Sequence, residues 1–479
     1  MNQPDQGRKI YAAIGAPGSG KTESVLSQLP RLLDEGKRIL IALPTTLLID
    51  EVTERIQALK LSHKVIDYRK HKSVTTKLGI ELLQDNNQLI ICTHESIHKV
   101  KPGHLQSWTL IIDEIPKIVD YPNYALPPQE LQRVLEYTEE CEGQLLIQDG
   151  LHDKVREQVT RFHQAANRLD CSTLGHSAAN IFRLLLCKVE VFIDQARTSD
   201  KRCVRAVEEF SSWWKIISSA AEVHVLAANI ANSEFEVFAQ LHGFQFGESV
   251  FTPQQGLPNC EVTIYPVMPK EQIFSKAKVM RIEGNNRVID NILAEVLAHA
   301  DESPLLTAND WAELEFTPDV IYVPIDCRGL NVYSSATQAV LLFGGNPSPA
   351  EQLGLHYLAK KYGRNFEEAF ITTRLLERSL QVVTRTAVRC WQNTKKIQFY
   401  VQDSRVAEYL RSTYFSNATV DWSLASGMNT KRDGRKLSVE QELEIINMIR
   451  SGNTSMEIHR QTGVSRRKIQ DMKKTELAA

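Results

Sequence analysis

Near the start of the chain, the run Gly15-Ala16-Pro17-Gly18-Ser19-Gly20-Lys21-Thr22 has the residue types and spacing that hold a triphosphate. Glycines let backbone N–H groups converge on phosphate oxygens, and a helix opening at the end of the loop adds its partial positive charge. Gly15, Gly18 and Gly20 would shape the loop, Lys21 would reach the β- and γ-phosphates, and the Thr22 hydroxyl would ligate Mg²⁺. The strand-like run Tyr-Ala-Ala-Ile precedes the loop and a helical pattern follows it, which is the context such a loop needs. An ordinary glycine turn would leave the Lys-Thr pair unexplained. ATP and Mg²⁺ are the cofactors this pattern implies.

A second group of chemical residues lies about ninety positions later, in Leu110-Ile-Ile-Asp-Glu-Ile-Pro116. An apolar strand ending in two carboxylates suits a metal-bound triphosphate: Asp113 would hold Mg²⁺, directly or through water, and Glu114 would activate the attacking water. Acidic residues also follow strands as helix caps, so the pair gains its meaning from the loop before it.

These residues need rigid elements beneath them. From Arg8 the chain alternates nearly continuous apolar runs with longer helical patterns, the arrangement of a parallel α/β sheet covered on both faces. Strands are predicted at Ile10–Ile14, Arg38–Leu43, Leu89–Thr93 and Leu110–Asp113. From about Ile115 to Ala220 the pattern turns helical, at Pro128–Glu140, His152–Arg168 and Ala179–Ala196, and reads as a helical insertion. Trp213 and Trp214 within it read as core, with base stacking as the alternative. A buried strand returns at Glu222–Ala227. A second α/β region follows, with strands near Glu261–Tyr265, Lys278–Ile282, Val320–Val323, Ala339–Phe343 and Lys396–Val401, and helices at Asn286–Ala300 and Leu353–Tyr362.

The two motifs, taken with their surroundings, resemble the superfamily 2 helicases with a DEAD-like box. Ala42–Glu51 (ALPTTLLIDE) and Ile91–Ile97 (ICTHESI) are similar to that family's phosphate-backbone motifs, which carries Thr45 and Thr93 over as candidate nucleic-acid contacts. The alternative is that both threonines simply cap helices after strands. Val223–Phe235 stands where the family has a Ser-Ala-Thr coupling motif, but the residues here are Ala227-Ala228-Asn229. In the second α/β region, Asp326–Gly344 and Arg374–Arg389 resemble the family's last two motifs. Gln381 and Arg385 match a Gln and an arginine finger supplied in cis, four residues apart on one helix face. Arg389 falls one residue later than the usual second arginine and is the second candidate. The alternative is a solvated basic helix, since Arg374, Glu377 and Arg378 belong to it too. The resemblance implies two RecA-like parallel-sheet lobes, at 1–255 (insertion about 115–220) and 256–425. Only fourteen residues precede Gly15, and Gln3 and Gln6 are poor substitutes for an adenine-reading motif.

A polar, glycine-containing linker is expected at 426–436. After it, 437–479 shows three short helical patterns, Ser438–Ser451, Ser455–Thr462 and Ser465–Lys474, at helix-turn-helix spacing. This part resembles the helix-turn-helix of site-specific recombinases and transposases, with Ile445, Ile446, Ile449, Ile458, Val464 and Ile469 as its core. Ser465, Arg466, Arg467 and Lys468 would open the recognition helix. Thr430–Ala479 carries eleven Lys/Arg against seven Asp/Glu, net +4, which leaves −6 for the rest of a chain of net charge −2. The basic character is therefore local, where a DNA reader needs it. A small protein-docking module is the alternative.

Length and composition fit this plan. A chain of 479 residues exceeds one core, which stops growing at roughly 250–300 residues, and its 42% hydrophobic and 24% charged content excludes a disordered polypeptide. The eight cysteines form no CxxC pair or zinc spacing and read as reduced, mostly buried thiols. There is neither a secretory pattern nor a long apolar span, so a cytoplasmic protein without a membrane partner is expected. The expectation is an ATP-dependent helicase or translocase acting on nucleic acid, DNA favoured over RNA. The alternatives are an RNA helicase and an ATP-dependent regulator of transposition or replication that does not unwind.

Overall fold

Apolar runs too short for helices and flanked by helical segments become parallel strands here. The computed structural model describes residues 8–168, 174–194, 202–254, 256, 260–314, 319–327, 333–426, 445–449, 451, 453–462, 464, 469–470 and 472–473. The chain divides into two compact units, 1–425 and 426–479.

The first unit begins with strands β1 (Lys9–Ile14), β2 (Arg38–Leu43), β3 (Lys64–Ile66), β4 (Leu89–Thr93) and β5 (Trp108–Asp113). Helix α1 (Lys21–Asp34) follows β1, and α2 (Thr46–Ala58) follows β2. After β5 the chain leaves this sheet, and the insertion is not helical as expected. It is built on a five-stranded antiparallel sheet of β6 (Asn123–Leu126), β7 (Thr138–Cys141), β8 (Gln144–Ile147), β9 (Val191–Ile193) and β10 (Arg202–Ala206), in the order β6-β10-β9-β8-β7. Helices α3 (Pro128–Leu135), α4 (His152–Arg168) and α5 (His176–Leu186) accompany it. The expected helices at 128–140 and 179–196 stop early because their last residues pair as β7 and β9. Trp213 and Trp214 are 2% and 4% exposed, core residues rather than a stacking platform.

Strand β11 (Glu222–Ala227) re-enters the first sheet between β1 and β5, and β12 (Gln245–Glu248) adds to the outer side of β1. The order is β12-β1-β11-β5-β2-β4-β3, all parallel. Strands β2, β4 and β5 are buried over almost their whole length, which is why they read as continuous apolar runs.

The second parallel sheet comprises β13 (Val262–Pro266), β14 (Leu305–Ala308), β15 (Ile321–Tyr322), β16 (Gln338–Leu342), β17 (Ile397–Val401) and β18 (Thr419–Val420), in the order β15-β14-β16-β17-β13-β18. The strand expected at Lys278–Ile282 is instead a short helix, Lys276–Val279, running into a two-residue hairpin. β14 and β18 went unread, the first because its four residues, LLTA, are too few to show a period. Between β16 and β17, α6 (Pro349–Tyr362) is closed at its start by a Ser348–Glu351 capping box. It is followed by a rod of Glu367–Ile371, a π-helical turn Thr372–Leu376 and α7 (Glu377–Val383). Helix α8 (Ser404–Thr413) follows β17.

The two sheets exchange core residues. Leu355, Leu358, Phe366 and Phe370 from the second half are buried in the first lobe's cluster with Phe238 and Trp214, and Ala228 from the first half is buried in the second lobe's cluster. Of the seven described cysteines, Cys92 and Cys327 are buried, while Cys141 and Cys187 are exposed, so the expectation of mostly buried thiols fails.

In the second unit, Ser455–Thr462 is a helix as expected, and Ile445, Ile458 and Ile469 are fully buried against Met448, Ile449, Val464 and Met472. Ser465, Arg466, Arg467 and Lys468, and the linker beyond Ser426, lie outside the described residues.

Candidate functional site

Strand register brings the chemical residues to one end of the first sheet. Ile14 is level with Ala227, and Leu226 with Asp113, so the loop after β1 and the end of β5 face each other around β11. Gly15 N–H donates to Ala227 O (3.1 Å) and Glu114 N–H to Leu226 O (2.8 Å), which ties both turns to the same strand. Glu114 takes a left-handed backbone, φ 65°, turning the chain sharply out of the sheet.

The loop after β1 demands its glycines. Gly18 and Gly20 have φ 84° and 88°, and a Cβ on Gly15 would stand 2.6 Å from both Ser19 Oγ and Pro253 Cγ. Ser19 Oγ is buried with no hydrogen-bond partner among the described residues. Lys21 Nζ turns back onto the loop, donating to Gly15 O (2.5 Å) and Ala16 O (3.0 Å). Burial pulls the ammonium below its ordinary pKa, with Asp113 and Glu114 opposing. Burial likewise raises the Asp113 carboxyl, with Lys21 and the Thr22 hydrogen bond opposing. Both groups are thus held away from water and short of compensating charge, which phosphate and a cation would supply.

Thr22 Oγ1 donates to Asp113 Oδ2 at 3.2 Å. A hydroxyl and a carboxylate this close are hard oxygen donors of the kind Mg²⁺ takes, with the remaining positions left to phosphate and water. Among the described residues no group of three or more His, Cys, Asp or Glu side chains could hold a metal ion. The donor set fits a Mg²⁺-bound triphosphate.

The second lobe closes a cavity of about 900 Å³ over this loop, lined by Lys21, Thr22, Asp113 and Glu114 on one side and Arg385 and Arg389 on the other. The Arg389 side chain packs on the loop, since a Cβ on Gly18 would come within 2.9 Å of its Cδ, while the charge of Arg385 acts on Lys21. Arg385 is 5% exposed and donates from Nη2 to Gln381 Oε1 (3.2 Å), so Gln381 orients it.

Thr45 and Thr93 lie at the same sheet end, Leu43 of β2 being level with Thr93 of β4. Their hydroxyls already have local work: Thr45 Oγ1 caps α2 by accepting from Leu48 N–H (3.3 Å), and Thr93 Oγ1 bonds Ser96 Oγ (2.8 Å).

Sequence reading passed over two acids. Glu377, named above only with the solvated-helix alternative, lines the cavity and receives a hydrogen bond from Tyr409 Oη. Glu234 is 3% exposed and sits where three segments meet: Tyr121 Oη donates to it at 3.0 Å, Arg374 approaches at 3.8 Å, and its own N–H donates to Thr373 Oγ1 at 3.0 Å. The π-helical turn Thr372–Leu376 supplies Thr373 and Arg374, an irregularity of the kind often found where a helix serves a site. Glu377 lies one turn before Gln381 on α7, a spacing the sequence shows, whereas Arg385 falls past the helix end at Val383 rather than on the same helix face as expected.

The family model of the DEAD/DEAH box helicase matches residues 3–140, the part that carries Gly15–Thr22 and the Asp113-Glu114 pair. Among curated proteins no relative matches. Among solved structures, S. tokodaii Xpd4 aligns at 11% identity with a TM-score of 0.52, covering 87% of this chain and 96% of its own. An XPD helicase aligns at the same identity and score over 86% and 96%. S. cerevisiae Dbp5 bound to RNA and ADP BeF3 aligns at 12% identity over 88% and 86%, with a TM-score of 0.32. The first two likenesses show a shared fold of two parallel-sheet lobes. No described helix is long and apolar enough to cross a membrane.

Proposed function

We propose that the chain is an ATP-dependent helicase or translocase that hydrolyses Mg²⁺-ATP in the cleft between its two lobes and moves along a strand of nucleic acid, DNA in preference to RNA. The observation that carries this reading is the single cavity lined from one side by Lys21, Thr22, Asp113 and Glu114 and from the other by Gln381, Arg385 and Arg389. A site assembled from two lobes changes shape as its occupant changes, which is what converts hydrolysis into movement.

The loop's backbone N–H groups and Lys21 would bind the phosphates, Thr22 and Asp113 would hold Mg²⁺, and the ion would neutralise charge on the transferring phosphoryl group. Glu114 would accept the proton of the attacking water. Arg389, over Gly18, and Arg385, held by Gln381, would stabilise the charge that develops on the phosphoryl oxygens. Thr45 and Thr93 would contact strand phosphates, and Ser465 to Lys468 would give the second unit its grip on duplex DNA.

Strand displacement tests the proposal. Full-length protein with Mg²⁺-ATP should release a strand from a DNA duplex bearing a single-stranded tail, and release RNA from the equivalent RNA duplex more slowly. Hydrolysis without displacement or directional movement would point to the regulator that does not unwind, and faster release of RNA would reverse the preference.

A further inference from the structure

Three neighbouring strands of the first lobe, β2, β4 and β3, end on the same side of the sheet. Leu43 of β2 is level with Thr93 of β4, and Ile66 of β3 with Cys92 of β4, so Asp67 follows β3 at the level of Thr93. The loop after β2, which holds Thr45, the end of β4 and the turn after β3 therefore adjoin in one row. It spans two strand spacings, about 10 Å. The turn reads Asp67-Tyr-Arg-Lys-His-Lys72, an aromatic residue among basic ones.

This turn is rigidly built. Asp67 is 0% exposed, and a carboxylate taken out of water needs partners. Arg69 supplies them, its backbone N–H donating to Oδ1 (2.9 Å) and its Nε and Nη2 to Oδ2 (3.2 and 2.7 Å). The same guanidinium reaches α2, where Nη1 and Nη2 donate to Asp50 Oδ2 (2.7 Å) and Oδ1 (2.9 Å). The N–H groups of Lys70 and His71 close the turn on Asp67 O at 3.3 and 3.1 Å. Arg69 thus serves architecture, fixing the turn to the helix that Thr45 caps. What the turn presents outward is Tyr68, 71% exposed, with Lys70 and Lys72 exposed after it. A tyrosine scattered alone on a surface needs no explanation. One held in place by a buried carboxylate and a forked arginine, at the sheet end that carries Thr45 and Thr93, is set to meet a ligand.

We propose that Tyr68 stacks on a base of a bound DNA single strand while Lys70 and Lys72 meet the phosphates beside it, which makes the turn after β3 the outer end of the first lobe's strand-binding face. The inference rests on reading that face as the track for nucleic acid. A ring next to lysines suits a single strand, since every unpaired base offers a π-face and every nucleotide a phosphate. A duplex hides its base faces inside its own stack. The turn therefore favours a single strand over a duplex, and it does so without reading sequence, as movement along a strand requires.

Fluorescence anisotropy of the full-length protein with a labelled single-stranded DNA, and with a strand of the same length that carries no bases, reads the stacking directly. Tyr68→Ala is expected to weaken binding of the ordinary strand on the order of ten-fold, and Tyr68→Phe to keep it. On the abasic strand Tyr68→Ala should match wild type, because there is no base to stack on. Lys70→Ala and Lys72→Ala should weaken both strands and each lower the slope of log affinity against log salt by about 0.7. Equal affinity of wild type and Tyr68→Ala for the ordinary strand, or a loss just as large on the abasic one, overturns the stacking role. An unchanged salt slope in both lysine variants overturns the phosphate contacts. A wild type that binds neither strand overturns the nucleic-acid reading beneath them.

Discussion

At the scale of single residues, the first lobe's share of the cavity lining was legible in sequence because each part is local. Gly15 to Thr22 is one loop, and Asp113 and Glu114 end one strand. In the second lobe, Gln381, Arg385 and Arg389 line the same cavity, but no local pattern says which arginine meets the loop, because that depends on how two sheets sit together. With Arg389 over Gly18 and Arg385 tied to Gln381, Arg389→Ala should lower kcat for ATP on the order of 10³-fold with little change in nucleotide affinity. Steady-state kinetics on Arg389→Ala and Arg385→Ala check this, and a larger loss in Arg385→Ala would assign the finger to Arg385. Glu234 gives a test by pH. Burial pushes its carboxyl up to about 7, with Arg374 and the Tyr121 hydrogen bond opposing. A raised carboxyl pKa means that the folded state holds the proton more tightly than the unfolded one. Its contribution is fully present below the unfolded value and is lost as pH rises through about 7. Relative to Glu234→Gln, wild type should lose on the order of 3 kcal/mol of stability between pH 5 and pH 8. Melting curves of the pair check it; a difference that does not vary with pH would contradict it.

At the scale of elements, long buried strands were legible and short ones were not. Arg38–Leu43, Leu89–Thr93 and Glu222–Ala227 have the expected bounds because continuous burial writes a continuous apolar run. In the insertion, β7 is Thr-Glu-Glu-Cys, exposed at three of its four positions, and only its antiparallel partner makes it a strand. No periodicity within four polar residues reports a partner. Helix α6 carries the clearest element-level test. Gly354 lies against the first lobe so closely that a Cβ would stand 2.8 Å from the Tyr121 ring and 3.1 Å from Val207 Cγ2. Gly354→Leu should therefore force the two apart at a cost of roughly 1–3 kcal/mol, despite the better helix propensity of Leu. A fall in melting temperature is expected, and an unchanged or higher one would show that this contact yields freely.

At the scale of the whole molecule, two parallel sheets exchange buried side chains and share the lining of a cavity, and a small separate unit follows. The alternation of strands and helices made the sheets legible. Their shared core was not, because nothing in Leu355, Leu358 or Phe366 says which lobe will bury them. The second unit is expected to be dispensable for basal hydrolysis: removing 430–479 should leave ATP turnover without nucleic acid intact and weaken duplex DNA binding. Unchanged duplex affinity in a gel-shift or anisotropy titration would remove that unit from DNA recognition. The central claim is that the cleft hydrolyses ATP under the control of a bound strand. Its most direct measurement is steady-state ATP hydrolysis by the full-length protein with and without single-stranded DNA, beside Lys21→Ala and Glu114→Gln. The account predicts marked stimulation by the strand, loss of turnover in both variants, and nucleotide binding retained in Glu114→Gln. Absence of hydrolysis in the wild type, or turnover that survives Lys21→Ala, would contradict it.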